Sequence, residues 1–140
     1  MDKENNRAIN NRQEYEALTP SELQIMRVIW DEPEPLAIPE LTRLLKEKYD
    51  RDYARTTIVT FLTSMKSKGY VHTKRAGKLA YVYTDKTERE HLHEVAKNSV
   101  DTWFAGSAAG FFMALYDEKG MSTDDLKKAK EYLDELANLL

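Results

Sequence analysis

Cysteine is absent from the 140 residues, which removes disulfides, zinc–thiolate sites and thiol nucleophiles together. No apolar run approaches the roughly 18 residues that a membrane span requires, and no secretory pattern follows Met1. A cytoplasmic protein with no membrane partner is therefore expected. A Gly-rich phosphate loop and a P-loop lysine motif are also lacking, and serine, histidine and aspartate occur without any linking pattern. An enzyme is not expected, and no catalytic residue or cofactor is assigned. His91 and His93, with Glu90 or Glu94 beside them, are the one hint of a metal site. Residues two apart on a helix point to different sides, so the two imidazoles do not converge on one ion. No metal is expected either.

What is present describes a globular chain: 41% hydrophobic and 32% charged residues, long enough for one good core, or a small core plus a dependent module. The net charge of −3 speaks against nucleic acid, but its distribution does not. Between residues 51 and 78 stand Arg51, Arg55, Lys66, Lys68, Lys74, Arg75 and Lys78 against the single acid Asp52. Residues 85–140 carry seven basic and twelve acidic side chains. Such asymmetry fits a chain in which one segment faces phosphates and another must not.

Residues 1–17 are polar without an apolar period and read as a flexible N-terminal tail. Thr19-Pro20-Ser21-Glu22 is a capping box with proline at the first helical position, and Leu18 and Leu23 are placed for a hydrophobic staple. The helix continues through Ile25, Met26, Val28, Ile29 and Trp30 until Pro33 and Pro35 stop it. A second helix begins near Pro39, with Leu41, Leu44, Leu45 and Tyr49 at helical spacing. A third is expected over 53–68, ended by Gly69 in a left-handed cap. Its core stripe is Ile58, Phe61, Leu62 and Met65, and the opposite face holds Thr56, Thr60, Thr63 and Ser67. Two β-rich runs, 70–74 and 79–84, flank Arg75-Ala76-Gly77-Lys78 as a hairpin with a basic tip. Three helices and a hairpin, with cations on the third helix and the tip, predict a winged helix-turn-helix over 18–84. The third helix would enter the major groove and the wing would touch backbone.

The second half, 85–140, reads as helical. Leu92, Val95, Ala96, Ser99 and Trp103 mark one amphipathic helix over 86–104. A short segment rich in small and aromatic residues follows (Gly106, Gly110, Phe111, Phe112, Tyr116). Ser122 caps a last helix with Leu126, Ala129, Leu133, Leu136 and Leu140 three and four apart, a coiled-coil-like seam. Helices of this size do not close a core alone, so pairing with a second copy is expected, with Leu92, Val95, Trp103, Phe111, Phe112, Leu126, Leu133 and Leu136 as dimerisation residues. Folding back on the first domain, or a ligand pocket lined by Phe111, Phe112 and Tyr116, are the alternatives. The fold class expected is mainly α with a small β-hairpin: a winged helix-turn-helix domain followed by a helical dimerisation domain.

Leu18-Thr19 with Glu22-Leu23 and Met26, Val28-Ile29-Trp30, 57–62 (Thr-Ile-Val-Thr-Phe-Leu), Lys68-Gly69-Tyr70, Gly77 and Tyr81-Val82-Tyr83-Thr84 stand in an order that resembles the penicillinase-repressor family, the BlaI/MecI/CopY-type regulators. The resemblance covers 18–84 closely and 85–140 in layout. It implies a homodimeric repressor on an inverted-repeat operator of double-stranded DNA. It also implies base contacts from the start of the third helix, at Arg55, Thr56, Thr57 and Thr60. Arginine can pair with a guanine edge and a threonine methyl can meet a thymine methyl; for Arg55 a phosphate contact is an equal alternative. Tyr53 stands where the family usually has tryptophan, near the backbone, and Ser64 where arginine is common. Lys66, Lys68, Lys74, Arg75 and Lys78 complete the expected DNA-binding set. The cysteine cluster of the copper-sensing members is missing. The Asn-Phe bond cut in the β-lactam-responsive members aligns roughly with Ala114-Leu115, which leaves a protease or another inducer-linked inactivator open as a partner. A winged-helix module that binds protein instead of DNA is the competing reading.

Overall fold

The computed structural model describes residues 16–116 and 120–140. Most of the expected tail lies outside the described residues, but its last two residues are held. The Glu16 carbonyl accepts the Tyr70 hydroxyl at 3.0 Å, and the Ala17 carbonyl accepts Lys68 Nζ at 3.0 Å.

Helix α1 spans Pro20–Asp31, and its start is the capping box that the sequence spells. Thr19 Oγ1 accepts the Glu22 N–H at 3.2 Å, and Glu22 Oε1 accepts the Thr19 N–H at 2.9 Å. Such a cap contributes about 1 kcal/mol. After the two prolines, Leu36–Ala37 forms β1, and α2 runs Ile38–Tyr49. Helix α3 spans Arg55–Ser67, two residues shorter at its start than the period suggested. Its exit is a left-handed glycine, Gly69 at φ 85°, with the Tyr70 N–H returning to the Met65 carbonyl at 2.9 Å. Strands β2 (His72–Ala76) and β3 (Leu79–Tyr83) make the hairpin. Ala76 pairs with Leu79, so the loop is only Gly77-Lys78, with Gly77 at φ 63° as a type II′ turn requires.

The hairpin expected from the sequence is part of a three-stranded antiparallel sheet in the order β1-β3-β2. Strand β1 pairs Leu36 with Val82 and Ala37 with Tyr81. A strand of two residues directly after Pro35 carries no period, which is why it has no sequence signature. One core joins the helices to the sheet: Ile25, Met26 and Val28 of α1, Leu41 and Leu45 of α2, Ile58, Leu62 and Met65 of α3, and Val82 of β3. Each such side chain contributes about 1.5–3 kcal/mol on burial. Three helices against this small sheet form a winged helix-turn-helix.

Helix α4 spans Glu88–Trp103. A second capping box sets its start: Thr87 Oγ1 accepts the Glu90 N–H at 3.1 Å, and Glu90 Oε2 accepts the Thr87 N–H at 2.9 Å. The chain separates into two compact units, one ending at His91 and the other starting at Leu92. Within the first, His91 is buried between the Trp30 and Tyr70 rings, at 5.5 and 5.4 Å. Trp30 Nε1 donates to the Lys86 carbonyl at 2.8 Å. The second unit holds the rest of α4, then α5 (Ala108–Tyr116) and α6 (Thr123–Ala137). Ala105 and Gly106, at φ 49° and 82°, break α4 from α5. Ser107 caps α5 through the Gly110 N–H, and Ser122 caps α6 through the Asp125 N–H, as its position predicted.

Candidate nucleic-acid interface

The core stripe of α3 faces inward at Ile58, Leu62 and Met65, so Arg55, Thr56, Thr57 and Thr60 stand exposed. At about 100° per residue Val59 and Thr63 share that open side, and both are exposed. Thr63 carries the same face in the sequence; Val59 is identified by its exposure of 41%, which a β-branched apolar residue does not need for folding. The N-cap of α3, Ala54, provides no side-chain oxygen, and its first turn has no acid. The amide N–H groups there leave the positive end of the helix dipole open to an anion. Tyr53 is half-buried, its ring edge-on to Phe61 at 5.3 Å, so it braces the start of α3 from the core side.

The wing separates its cations by face. Neighbours on a strand point to opposite sides of the sheet. Arg75 lies opposite Ala80, and Thr73 opposite the buried Val82. From α3, Lys66 Nζ reaches Thr73 Oγ1 at 3.4 Å. Arg75 therefore shares the face that α3 approaches. Lys74 lies opposite Tyr81 on the other face, with its Nζ 5.4 Å from the centre of the Tyr83 ring. His72 belongs to that outer face too, its ring 5.3 Å from Tyr83 and its Nε2 2.9 Å from Asp85 Oδ2. Lys78 is exposed in the turn.

Charge compensation distinguishes these cations from those of α2. On α2, Arg43 pairs with Glu40 at 2.6 Å and Glu47 at 2.7 Å, Lys46 with Asp50 at 2.7 Å, and Lys48 with Asp31 of α1 at 3.3 Å. Arg55, Lys66, Lys74, Arg75 and Lys78 form no ion pair among the described residues. Lys68 does form one. Its Nζ lies 2.7 Å from Oε1 of Glu22, which is 2% exposed. The same ammonium also donates to the Ala17 carbonyl, so Lys68 is held within the domain.

Burial alone pushes the Glu22 carboxyl up. The hydrogen bonds from Lys68, from the Thr19 backbone and hydroxyl and from Ser64 together hold it below the ordinary glutamate value. Ser64, in the place where the family often has arginine, thus supports this carboxylate.

In the second unit no described residue is buried. Leu92, Trp103, Leu126, Leu133 and Leu136 are exposed, while Val95, Phe111 and Phe112 are half-buried, with Phe111 edge-on to Phe104 at 5.4 Å. Ala114 and Leu115 stand exposed on α5. His93 is exposed while His91 is buried, so the two histidines do not meet. Among the described residues no cluster of three histidines or carboxylates could hold a metal, and no helix is long and apolar enough to cross a membrane.

The chain is similar to the methicillin resistance regulatory protein MecI of Mammaliicoccus sciuri, 21% identical over 117 residues, which cover 83% of this chain and 92% of that protein. MecI of Staphylococcus aureus strain N315 is 20% identical over 116 residues with the same coverage. Among solved structures, the DNA binding domain of the repressor BlaI aligns with 52% of this chain and 85% of its own, at 22% identity and a TM-score of 0.45. Streptococcus pneumoniae FabT in complex with DNA aligns with 87% of this chain and 75% of its own, at 17% identity and a TM-score of 0.43. The profile of the penicillinase repressor family matches residues 18–135, across both units, and the chain belongs to that family.

Proposed function

We propose that this protein is a DNA-binding transcriptional repressor, a homodimer on an inverted-repeat operator. Residues 18–84 form the DNA-binding domain and 85–140 the dimerisation domain. The observation that carries the reading is the concentration of uncompensated cations on α3 and the wing, whereas the cations of α2 are each paired with a carboxylate. Arg55, Thr56, Thr57 and Thr60 address base edges or the adjoining phosphates at the open start of α3. Lys66, Arg75 and Lys78 meet the sugar-phosphate backbone on the same side, and Lys74 meets it from the outer face of the wing. Tyr53 positions the start of α3. This division follows the general one, in which phosphate contacts orient and base contacts specify.

Dimerisation is supported by the second unit's lack of any buried described residue. Leu126, Leu133 and Leu136 lie along one side of α6 and are 37%, 51% and 59% exposed. An apolar seam of this kind costs free energy in water, and a second copy carries the self-complementary seam that covers it.

The test is retention of duplex DNA in a gel, with random duplex as competitor, over a series of salt concentrations. A repressor retains selected fragments against competitor, with affinity that falls steeply as salt rises. A protein that retains no duplex at low salt is a winged-helix module for protein contacts instead.

A further inference from the structure

With α3 taken as the helix that enters the groove, a reading on which everything here rests, its exposed side chains indicate what it reads there. Thr60 donates its hydroxyl to the Thr56 carbonyl at 2.9 Å, and Thr63 donates to the Val59 carbonyl at 2.8 Å. Both hydroxyl protons are therefore used one turn back along the helix. What these side chains hold outward is a methyl group and the remaining lone pairs of an oxygen. Val59 stands beside them in the helical period and adds two more methyl groups. Among the described residues of the first unit it is one of two large hydrophobic side chains left exposed, the other being Leu79 on the wing.

A surface of methyl groups without free donors is selective in the major groove. Thymine alone presents a methyl group there, at C5, whereas guanine presents two acceptors, O6 and N7, that require donors. We infer that Val59, Thr60 and Thr63 read the operator by packing their methyl groups against thymine 5-methyl groups. Val59 is then a specificity-determining residue, and any guanine contact is left to the donors at the start of the helix, Arg55, Thr56 and Thr57.

The experiment uses the full chain. Duplexes are enriched from a randomised pool by repeated retention on the protein, and the best-bound sequence is resynthesised with deoxyuridine in place of thymine. That change deletes the 5-methyl groups and keeps every hydrogen-bonding edge. The expected result is weaker binding by about fourfold for each 5-methyl group that packs against the helix, with affinity for unrelated duplex unchanged. Two variants of one residue separate methyl from hydroxyl. Thr60→Val keeps a methyl and deletes the hydroxyl, and it binds the thymine duplex as the parent does. Thr60→Ser keeps the hydroxyl and deletes the methyl, and its binding is weaker by about fourfold, as is that of Val59→Ala. Thermal unfolding of all three variants verifies that the fold is retained. Equal binding of the thymine and deoxyuridine duplexes, or the reverse order of the two Thr60 variants, overturns the inference and leaves DNA binding standing. Enrichment of no sequence at all overturns the repressor reading, and this inference with it.

Discussion

Lys68 Nζ lies 2.7 Å from Glu22 Oε1, so the C-cap of α3 is tied to the first turn of α1 by an ion pair in which the carboxylate is buried. The same carboxylate closes the capping box on the Thr19 N–H. One side chain thus joins a local helix-start signal to a contact between residues 46 positions apart. Removing the ammonium leaves a buried charge without its counterion, whereas removing an exposed lysine costs little. Lys68→Met is expected to destabilise the domain by about 2–4 kcal/mol while leaving the salt dependence of DNA binding unchanged. Chemical denaturation and a salt titration of the same variant check both halves. A stable variant with a shallower salt slope would place Lys68 among the DNA contacts.

The same pair makes stability depend on pH on the acid side. The Glu22 carboxyl is held below its ordinary value of 4.5, with Lys68 the first of the groups that oppose the effect of burial. A depressed carboxyl contributes its full stabilisation above its unfolded pKa and loses it as pH falls through the folded one. Between about pH 7 and pH 5 the contribution is expected to be constant; below the ordinary glutamate value it declines. Glu22→Gln should remove that part of the acid-side slope. Unfolding curves for parent and variant at several acid pH values measure it, and parallel curves would exclude Glu22 as its source.

How much of this was legible differs from element to element. Thr19, Pro20 and Glu22 carry a local signal, since the cap depends on residues three apart, and α1 starts where they place it. Thr87 and Glu90 spell the same signal at α4, although the apolar period alone suggested a start at 86. The glycine exit of α3 follows from Gly69 itself. Strand β1 is two residues whose pairing with β3 is non-local, and such a strand leaves no period to read. Lys68 and Arg75 show the limit for the site. Sequence reports that both are cations, but what each one meets is decided by Glu22 across the domain and by strand register. Val59 was legible in part: the helical period sets it apart from the core stripe and beside Thr63, but that it stands exposed comes from the structure.

Strand register predicts unequal roles for adjacent wing cations. Arg75 shares its face with Thr73 and Ala80, toward α3, whereas Lys74 lies over the Tyr83 ring on the other side. Arg75→Ala is expected to lower the salt slope by about 0.9, the value for one phosphate contact, and Lys74→Ala by clearly less. Binding isotherms on one duplex at four or more salt concentrations give both slopes. Equal reductions would mean that both faces of the wing touch DNA.

The seam on α6 predicts a conditional oligomer. Leu133 and Leu136 are three residues apart and half exposed or more. Replacing both by aspartate puts two carboxylates into a seam that a second copy would have to desolvate, at a cost of several kcal/mol. Sedimentation of the double variant should give monomers, with the circular dichroism of the first unit retained. A dimer of undiminished strength would move the interface to α4 or α5.

Arg55 stands at the start of α3, where Ala54 offers no capping oxygen and no acid occupies the first turn. The local field favours an anion, and the side chain emerges beside the exposed Thr56 and Val59. A guanidinium here can act as a point charge toward a phosphate or as a fork toward guanine, and lysine can replace only the first of these. Arg55→Ala is expected to weaken the enriched duplex by roughly 1–3 kcal/mol and to lower the salt slope by about 0.9. Arg55→Lys should restore the slope, because the charge returns, without restoring affinity for the enriched duplex, because two parallel donors do not. The measurement is affinity for enriched and unrelated duplex at one fixed salt concentration, with the salt slope measured separately for each variant. Full rescue by lysine on both duplexes would make Arg55 a phosphate contact and would leave sequence reading to the methyl groups beside it.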